Sequence, residues 1–568
     1  MSPNPQAAVP IVDGKGAQGT LPSTPDHQLP LNADIIALHD RTVPRILARA
    51  VALRPDQAAL VEPLGRTLTY RELDREARGT AAGLRGLGLG AGDTVVAMLD
   101  PHADNIIGWL GANLASVVWV PINTSLKGSM LQFVLEHSEA RVILIEATWV
   151  ERIDEIASEL THLKTVVVRG GDGSQAATLD RFKVIDLDTL AQAEPVELEE
   201  PKVSDVSTIM YTSGTEGQSK GVLISHGAVY ACSISHQRTA QTEITMAALP
   251  FFHAGGLFTG VFQAIRTAGT AVLHGTFSSG RYLNDLRTYK CTTALIVGPI
   301  AAFLLSQPPS AADRDHSLTN VVMFPVSPMA DQFSERFGVP VVGAYGSTEV
   351  AAAMLSRPGE GRPGLCGQPV PHLEMELVDE FDAPVPLGEV GELVIRTREP
   401  YVLTMGYFKA PELTAKAFRN LWFHTGDLLR YDVESGQYAF VDRSKDLLRR
   451  RGENISSVEV ERHLIALPGV REAAVVALKT EVEEDEVLAV IVTEPSADVR
   501  PEEVLQALYA RLPYFMVPRY IDIVDELPKT QTMKVQKNVL RERGMTETVW
   551  DCEAAGYRVT RHSLVTPV

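Results

Sequence analysis

Hydrophobic positions along the first part of the chain follow two periodicities in turn. Residues 68–87 carry apolar side chains at helical spacing, and Thr69 followed by Glu72 is typical of a helix N-terminus. Glycine-rich punctuation then leads to the β-branched run at residues 94–99, which predicts a strand. A helix around residues 130–137 and a strand at 141–145 repeat the unit. Repeated strand–helix–strand units indicate parallel sheets covered by helices on both faces.

One uncharged stretch, residues 106–122, invites comparison with a membrane span. Gly108, Gly111 and Pro121 interrupt it, and it is short for a bilayer. At Ser116 the pattern changes from helical spacing to the β-branched run 117–120. This change predicts a buried helix followed by a buried strand, so we expect no membrane span.

The texture of the sequence changes twice further along. After Gly364, short alternating strands at 373–378, 391–396 and 436–441 predict a small β-rich subdomain. From about Asp442 a charged region with two helix–strand passages predicts a compact α+β unit. The fold class is therefore α/β: a large N-terminal domain of parallel-rich sheets covered by helices, a small β subdomain, and a small mobile α+β C-terminal domain.

We expect three segments along the chain. Residues 1–33, rich in proline, glycine and small polar types, form a mobile N-terminal tail. Residues 34–442 form the N-terminal domain, and residues 443–568 form the C-terminal lid domain.

Composition narrows the class of partner. The 568 residues contain 52 Lys plus Arg against 71 Asp plus Glu, a net charge of −19. A surface this acidic repels phosphate backbones and anionic lipid, which argues against nucleic acid and leaves a small-molecule partner open. The four cysteines lie far apart, and no pair has zinc-ligand spacing. With no secretory signal pattern at the N-terminus, a reducing, cytoplasmic compartment is expected.

The most informative motif is the loop at residues 211–221, Tyr-Thr-Ser-Gly-Thr-Glu-Gly-Gln-Ser-Lys-Gly. It lies between two apolar strands. Its glycines let backbone N–H groups converge on one point, and its hydroxyls and lysine can point there too, as a polyphosphate requires. It is not a Walker loop, which needs Gly-Lys-Ser/Thr opening a helix.

This loop resembles the phosphate-binding signature of the adenylate-forming superfamily, which comprises acyl-CoA synthetases, peptide-synthetase adenylation domains and beetle luciferases. That signature usually reads Tyr-Thr-Ser-Gly-Thr-Thr-Gly-x-Pro-Lys-Gly, and this chain has Glu216 and Ser219 at two of its positions. Further motifs follow in the family order, so the resemblance covers residues 50 to 540. It implies an ATP site formed by Thr212, Ser213, Gly214, Thr215, Gly217 and Lys220.

Two motifs in the centre of the chain extend the resemblance. Residues 249–253 are similar to Leu-Pro-x-Phe-His, which implies that His253 stands at the entrance of the acyl pocket. Residues 345–349 are similar to Tyr-Gly-x-Thr-Glu: Tyr345, with Gly346 beside it, would pack on adenine, and Thr348 would contact phosphate. Glu349 would meet Mg²⁺, since magnesium takes few protein oxygens and completes its shell with phosphate and water.

Three motifs in the last third complete it. Residues 422–428 match Trp-x-x-Thr-Gly-Asp, and a carboxylate suits both ribose hydroxyls, so Asp427 and the nearby Arg443 are expected at the ribose. Lys445 occupies the family's hinge. Lys534 maps to the lysine that bridges the carboxylate and the α-phosphate, although Met533 replaces the usual preceding glycine.

The resemblance implies an AMP-forming acyl-CoA synthetase. Its substrates are ATP, a carboxylic acid and CoA, its metal is Mg²⁺, and a homodimer is left open. The alternatives are a stand-alone adenylating enzyme that serves a carrier protein or second enzyme, a peptide-synthetase module, luciferase-like oxidation, and a catalytically dead nucleotide-binding regulator. The intact Thr348, Glu349, Asp427 and Lys534 argue against the regulator.

The segments that line the acyl pocket in the family are rich here in small residues, at 254–256, 343–344 and 351–353. The family's Gly-Gly-Ala-Pro-Leu type turn is replaced by residues 324–329, Phe-Pro-Val-Ser-Pro-Met. These features favour a bulky, largely apolar acid, including polycyclic natural-product acids. The runner-up is a short- or medium-chain acid, including carnitine-like substrates.

Overall fold

The computed structural model describes residues 36–171, 179–193, 196–212, 219–234, 243–327, 329–443, 447–450, 453–479, 485–495, 497–528, 535 and 537–567. The predicted tail at 1–33, the loop residues 213–217, Lys445 and Lys534 lie outside these ranges.

The first part of the chain alternates strands and helices as predicted. Its strands are β1 (Ala58–Val61), β2 (Thr67–Thr69), β3 (Thr94–Met98), β4 (Val118–Pro121), β5 (Val142–Glu146), β6 (Thr165–Arg169), β7 (Lys183–Asp186), β8 (Val206–Thr212) and β9 (Lys220–Ser225). Its helices are α1 (Val43–Leu53), α2 (Tyr70–Gly86), α3 (Ala103–Leu114), α4 (Gly128–His137), α5 (Glu151–Asp154), α6 (Leu187–Ala191) and α7 (His226–Ile234).

The centre continues the alternation and then turns into β structure. Its strands are β10 (Ile244–Ala247), β11 (Thr270–Leu273), β12 (Thr293–Ile296), β13 (Asn320–Met323), β14 (Val341–Ser347), β15 (Ala351–Leu355), β16 (Leu365–Pro369), β17 (Leu373–Val378), β18 (Val390–Thr397), β19 (Phe418–Arg419), β20 (Trp422–Asp432) and β21 (Gln437–Arg443). Its helices are α8 (Gln263–Arg266), α9 (Ser279–Thr288), α10 (Gly298–Ser306), α11 (Ala330–Phe337) and α12 (Pro411–Ala417), with a π-helix at Gly255–Phe262.

The C-terminal part is a separate α+β unit. Its strands are β22 (Leu447–Arg450), β23 (Glu453–Ser456), β24 (Val470–Lys479), β25 (Asp485–Thr493), β26 (Tyr520–Val524), β27 (Trp550–Asp551), β28 (Arg558–Val559) and β29 (Leu564–Val565). Its helices are α13 (Ser457–Ile465), α14 (Pro501–Arg511) and α15 (Lys537–Arg543).

Two sheets carry the N-terminal part. Among the described residues, one has seven strands in the order β7-β6-β5-β3-β4-β8-β9, parallel except for the β8–β9 pair. In the other, β1, β11, β10, β12, β13 and β14 run parallel, and the antiparallel strands from β15 onward continue the same sheet. The predicted small β subdomain is thus an extension of a parallel sheet.

The main core lies between these sheets. Helices α1, α2, α3 and α7 and the π-helix contribute to one buried cluster that also takes side chains from both sheets. The fully buried Trp109 and Trp119 are its largest members. Burial of apolar surface on both sides of the helix layer fixes the two sheets relative to each other.

Local signals in the sequence act as predicted. Thr69 Oγ1 accepts a hydrogen bond from the Glu72 N–H, and the Glu72 carboxylate accepts one from the Thr69 N–H, which closes a capping box. Between α3 and β4, Ser116 takes a left-handed φ of 57° at the point where the pattern changes. Of the helices in the described ranges, none combines the length and apolarity needed to cross a bilayer.

The C-terminal unit has its own sheet, in the order β24-β25-β26-β27, and its own two apolar clusters. Helices α13 and α14 pack on it, as the sequence predicted, whereas β26, β27 and the β28–β29 hairpin were not predicted. Met130 of α4 joins the C-terminal cluster, so the two lobes share apolar contact. The boundary at residues 442 and 443 and the hinge at Lys445 stay predictions.

We expect Glu459→Gln to stabilise the C-terminal unit at neutral pH. Burial raises the pKa of this α13 carboxyl to about 7 from an ordinary 4.5. As pH rises from 4.5 to 7 the unfolded chain releases the proton first, so the folded state loses stability over that window and keeps the full loss above it. The variant should gain about 1–3 kcal/mol over wild type at pH 8 and little at pH 4.5.

Urea unfolding at both pH values checks this, with the exposed Glu494→Gln as the matched control. A gain of equal size at pH 4.5 and pH 8 would show that ionisation of Glu459 is not the cause.

Candidate active site

The predicted phosphate loop is held at both of its ends. Strands β8 and β9 are antiparallel, and Thr212 pairs directly with Lys220 across the mouth of the loop. One residue earlier, the Tyr211 hydroxyl lies 2.8 Å from His137 Nδ1 of α4. Thr212 Oγ1 is buried and has no hydrogen-bond partner among the described residues. A buried hydroxyl of this kind is available to a ligand at the loop.

Lys220 forms the centre of a charged network. Its Nζ lies 3.2 Å from Glu349 Oε1 and donates to the Tyr407 hydroxyl at 2.9 Å. The Tyr407 hydroxyl in turn donates to Glu349 Oε1 at 3.0 Å. The loop strand, the β14–β15 turn and the segment around Tyr407 therefore meet at one carboxylate.

Two pKa shifts describe this network. Burial by itself would raise the pKa of Glu349, but the Lys220 ammonium and the Ser347 hydroxyl hold that pKa below its usual value. Burial and the charge of Glu349 raise the pKa of Tyr407, so its phenol stays protonated and donates. The site contains a fixed anion, a fixed cation and a neutral bridge between them.

A tight turn aims the Glu349 carboxylate. Strands β14 and β15 pair antiparallel, with a register irregularity between Tyr345 and Gly346. A Cβ on Gly346 would lie 1.9 Å from the Ala351 carbonyl oxygen, so only glycine permits this approach. Within the turn, Ser347 Oγ donates to Glu349 Oε2 at 2.9 Å and accepts from its N–H.

A second carboxylate lies on the antiparallel side. The hydroxyl of the buried Tyr345 donates to Asp427 Oδ2 at 2.7 Å. Burial and the charge of Asp427 raise the pKa of Tyr345, which keeps this phenol protonated. Asp427 pairs across β20 and β21 with Arg443, whose side chain lies outside the described part of the structure. The predicted adenine and ribose residues are therefore neighbours.

His253 meets the C-terminal unit. Its Nε2 lies 3.1 Å from Glu453 Oε2 at the start of β23, and its side chain is half-exposed. This histidine begins the turn that leads into the π-helix, a feature that is frequent at functional sites. The predicted entrance residue is thus in contact with the second lobe.

An apolar wall stands next to this entrance. Strands β12, β13 and β14 present four apolar side chains on one face of the sheet, namely Leu295, Val322, Val342 and Ala344. Three partly buried side chains complete the cluster, namely Leu249, Phe324 and Leu355. Leu295, Val322 and Val342 are partners across the three parallel strands, so the wall runs across the sheet.

The small residues predicted to leave volume divide into two groups. A Cβ on Gly256 would lie 2.1 Å from the Pro250 carbonyl oxygen, and one on Gly343 would lie 2.8 Å from Val326 Cγ2. These two glycines serve close packing. At Gly255 the nearest atoms to an added Cβ are Leu295 Cδ2 at 3.3 Å and Leu249 Cδ1 at 3.6 Å, both in the apolar wall. Gly255 therefore lies directly against the apolar wall.

The structure brings together most of the described residues that the sequence singled out. Lys220 and Glu349 form one pair, Tyr345 and Asp427 another, and Thr212 lies at the loop. It adds Tyr407 and Glu453, which sequence reasoning missed. A lone tyrosine more than fifty residues from Glu349 gives no chemical signal, and the one local hint is Gly406, whose φ of 112° marks a special backbone position. The roles of these residues stay predictions.

Fold and site together define a class: a two-lobed α/β enzyme with a glycine-rich loop, predicted to bind phosphate, beside the Lys220–Glu349 pair. The chain matches the AMP-binding enzyme family over residues 47–408 and the C-terminal domain of AMP-binding enzymes over residues 459–534. It therefore belongs to the AMP-binding enzyme family, and its predicted place in the acyl-CoA synthetase branch of the adenylate-forming superfamily is confirmed.

Similar proteins agree with this placement. Crotonobetaine/carnitine–CoA ligase of Escherichia coli is 30% identical over 493 residues, which cover 83% of this chain and 93% of the ligase. A double mutant of o-succinylbenzoate CoA synthetase from Bacillus subtilis, bound with its product analogue OSB-NCoA, superposes with a TM-score of 0.76 at 26% identity over 88% of this chain and 99% of that one. The same synthetase in complex with AMP gives 0.62 at 26% identity over 89% and 99%. The predicted fold class and the predicted activity of an AMP-forming acyl-CoA synthetase are confirmed.

We expect Tyr407→Phe to slow adenylation while the protein stays folded. The change removes the hydroxyl that joins Lys220 to Glu349 and keeps the ring. A hydrogen bond to a charged group contributes about 1.5–3 kcal/mol, so ATP–pyrophosphate exchange should fall about 10- to 100-fold. Tyr401→Phe, whose ring is exposed, is the control. Exchange at the wild-type rate would show that the bridge is dispensable.

Proposed function

We propose that this protein activates a carboxylic acid with ATP to give acyl-AMP and pyrophosphate, and then transfers the acyl group to CoA. The observation that carries this proposal is the convergence of Lys220, Glu349 and the buried Thr212 hydroxyl, which has no partner in the described ranges, beside the Tyr345–Asp427 pair. The first group suits a polyphosphate, and the second suits a nucleoside.

In the first half-reaction a carboxylate oxygen of the acid attacks the α-phosphorus. The bond from that phosphorus to the bridging oxygen of pyrophosphate breaks, and no proton needs to move. Positioning and charge stabilisation therefore supply the catalysis. We assign Lys220, Thr212 and Thr348 to the phosphates, together with the loop residues Ser213, Gly214, Thr215 and Gly217. Asp427 and Arg443 hold the ribose, and Tyr345 with Gly346 forms the adenine side. Lys534 bridges the acid and the α-phosphate.

The donor set at Glu349 fits a magnesium ion that arrives with nucleotide. The described residues contain no group of three or more His, Cys, Asp or Glu that could hold a metal by themselves. Mg²⁺ commonly takes one or two carboxylates and completes its shell with phosphate oxygens and water. Glu349 would hold it, with Ser347 beside the carboxylate, and the ion would neutralise phosphate charge.

In the second half-reaction the CoA thiol loses its proton to solvent, and its sulfur attacks the carbonyl carbon of acyl-AMP. The bond from that carbon to the phosphate oxygen breaks, and AMP leaves as the thioester forms. The site residues differ between the halves, so we propose that the C-terminal domain, residues 443–568, moves about a hinge at Lys445. His253, at the meeting point of both lobes, lines the entrance to the acyl pocket. All four cysteines are buried thiols, which supports a reducing, cytoplasmic setting. A homodimer stays a prediction.

The main competing function is an adenylating enzyme whose acceptor is a carrier protein or second enzyme. Similarity to CoA ligases over more than four fifths of the chain favours CoA as the acceptor. Luciferase-like oxidation and a regulator without activity have no comparable support.

We expect the purified protein to release AMP from ATP with at least one acid of a panel of carboxylates, and to form a thioester only when CoA is added. Lys534→Ala is the matched inactive variant. Loss of one preorganised charge lowers the rate by about 10²- to 10³-fold. The variant should lose pyrophosphate exchange but still form thioester from supplied acyl-AMP. Absence of AMP release with every acid would overturn the proposed function.

For the acid itself we propose a bulky, largely apolar group, which includes polycyclic acids. Support comes from the apolar wall of Leu295, Val322, Val342 and Ala344, which lies directly against Gly255. A carnitine-like acid carries a quaternary ammonium, which aromatic faces or carboxylates recognise best. These four wall residues are all aliphatic, so they favour an apolar acid over a carnitine-like one.

We expect wild type to prefer a cyclic acid over an unbranched acid of equal carbon count in kcat/KM, and Gly255→Val to reverse this. The added methyl groups would fill space next to Leu249 and Leu295. The preference for the cyclic acid should fall about tenfold, roughly the effect of a methylene or two in a pocket. Gly280→Val, where an added Cβ meets nothing within 4 Å, is the control. A higher kcat/KM of wild type for the unbranched acid would contradict the proposal.

A further inference from the structure

The last described residues form a β-hairpin beyond the part of the chain that matches the family's C-terminal domain, which ends at residue 534. Strand β27 adds to the C-terminal sheet next to β26, and Cys552 enters the C-terminal core. Tyr557, Val559 and Leu564 then pack the hairpin against that core. The hairpin is thus a fixed part of the C-terminal unit.

The tip of the hairpin is closely hydrogen-bonded. The Thr560 N–H donates to the Ser563 carbonyl at 2.9 Å, and Thr560 Oγ1 donates to the same oxygen at 2.8 Å. The Ser563 N–H donates back to Thr560 Oγ1 at 2.9 Å. The Tyr509 hydroxyl of α14 donates to the Thr560 carbonyl at 3.4 Å. These bonds fix the backbone of the turn that carries Arg561.

Arg561 contacts three residues of the N-terminal domain, namely Asp100, Thr124 and Trp149. One of its terminal nitrogens lies 3.4 Å from Asp100 Oδ1 and donates to Thr124 Oγ1. Its guanidinium stands 5.3 Å from the ring centre of Trp149. These three residues follow β3, β4 and β5, which are neighbours in the seven-stranded sheet. The three residues that contact Arg561 therefore lie together at the ends of adjacent strands of the seven-stranded sheet.

A second contact lies beside the first. Lys127 donates to the Tyr509 carbonyl and stands 4.4 Å above the Tyr509 ring. Arg152 contacts two of the residues that also contact Arg561. Its guanidinium lies 5.6 Å from the centre of the Trp149 ring, and it donates to the Thr124 carbonyl at 2.7 Å. Burial, followed by repulsion from Arg561, lowers the pKa of Arg152. The three cations Lys127, Arg152 and Arg561 are balanced by two carboxylates, Asp100 and Glu155. Repulsion among the cations makes this a contact of modest strength that can open.

The placement of the two lobes resembles one state of a relative more than another. The chain superposes on the synthetase bound with its product analogue with a TM-score of 0.76, and on the same synthetase with AMP with 0.62. The two superpositions cover 88% and 89% of this chain. The scores therefore differ in how the parts are placed, since nearly the same amount of fold is matched.

We propose that Arg561 is a positioning residue for the second half-reaction: it docks the C-terminal domain in the arrangement that serves CoA transfer, and its contact opens when adenylation requires the other arrangement. The inference rests on the proposed function. Arg561 touches no reacting atom and acts through the placement of the whole domain.

The first test separates the two half-reactions. Arg561→Gln should slow thioester formation from supplied acyl-AMP about five- to tenfold, as expected for one partly exposed ion pair with an aromatic contact. Pyrophosphate exchange, with the acid that releases most AMP in the panel, should stay at or above the wild-type rate. Arg558→Gln, on the same hairpin and exposed, is the control. Arg561→Lys should restore part of the transfer rate.

The partner of the contact gives a second arm. Asp100→Asn should slow transfer in the same way, and the double variant should be no slower than Arg561→Gln alone, because both changes break one contact. Equal loss in both half-reactions, or no loss in either, overturns the proposal.

A third measurement needs no substrate, so it stays informative if no acid is activated. All four native cysteines are buried, so cysteines placed at residues 100 and 561 can be joined selectively by a short bismaleimide. Efficient cross-linking within one chain supports the docked arrangement, and its absence overturns it. In an active enzyme, the cross-linked form should keep thioester formation from supplied acyl-AMP and lose pyrophosphate exchange.

Discussion

The site depends on one strand that belongs to two kinds of sheet. Strand β14 runs parallel to β13 and antiparallel to β15, so it ends where the parallel sheet becomes the β subdomain. The close approach of Gly346 to the Ala351 carbonyl allows the chain to reverse there. That reversal brings Glu349 to Lys220 of the other sheet and leaves Tyr345 facing Asp427. The two halves of the proposed nucleotide site are thereby held on either side of a single turn.

The chain as a whole is acidic, whereas basic side chains gather at the loop that carries Lys220 and at the contact between the two lobes. The chain as a whole carries −19, yet Lys220 stands at the phosphate loop and Lys127, Arg152 and Arg561 gather where the lobes meet. An acidic surround limits non-specific binding of polyanions, whereas a few local cations still serve a small phosphorylated substrate. The contact between His253 and Glu453 adds the C-terminal unit to the edge of the acyl entrance.

The sequence predicted the elements that follow from strong local signals. The capping box at Thr69, the switch at Ser116 and the alternating strands all lie close to their predicted positions, because hydrophobic period and cap chemistry decide them locally. Tyr407 and Arg561 escaped prediction because their importance comes from contacts with residues far away in the chain. From the sequence alone, Gly256 and Gly343 are interpreted as residues that enlarge the acyl pocket. In the structure, backbone and side-chain atoms fill the space next to both glycines, which composition alone cannot reveal.

The pairing of Glu349 with Lys220 has a consequence for how the site fills. The Lys220 ammonium lies 3.2 Å from the Glu349 carboxylate and neutralises its charge. The carboxylate therefore attracts a divalent cation without nucleotide only weakly. In the proposed function, a nucleotide polyphosphate would compete for Lys220 and leave the Glu349 carboxylate able to hold a metal that arrives with the nucleotide. The ion pair would then serve as an internal counter-ion before the nucleotide binds, and it would favour entry of metal and nucleotide as one complex over entry of the metal first.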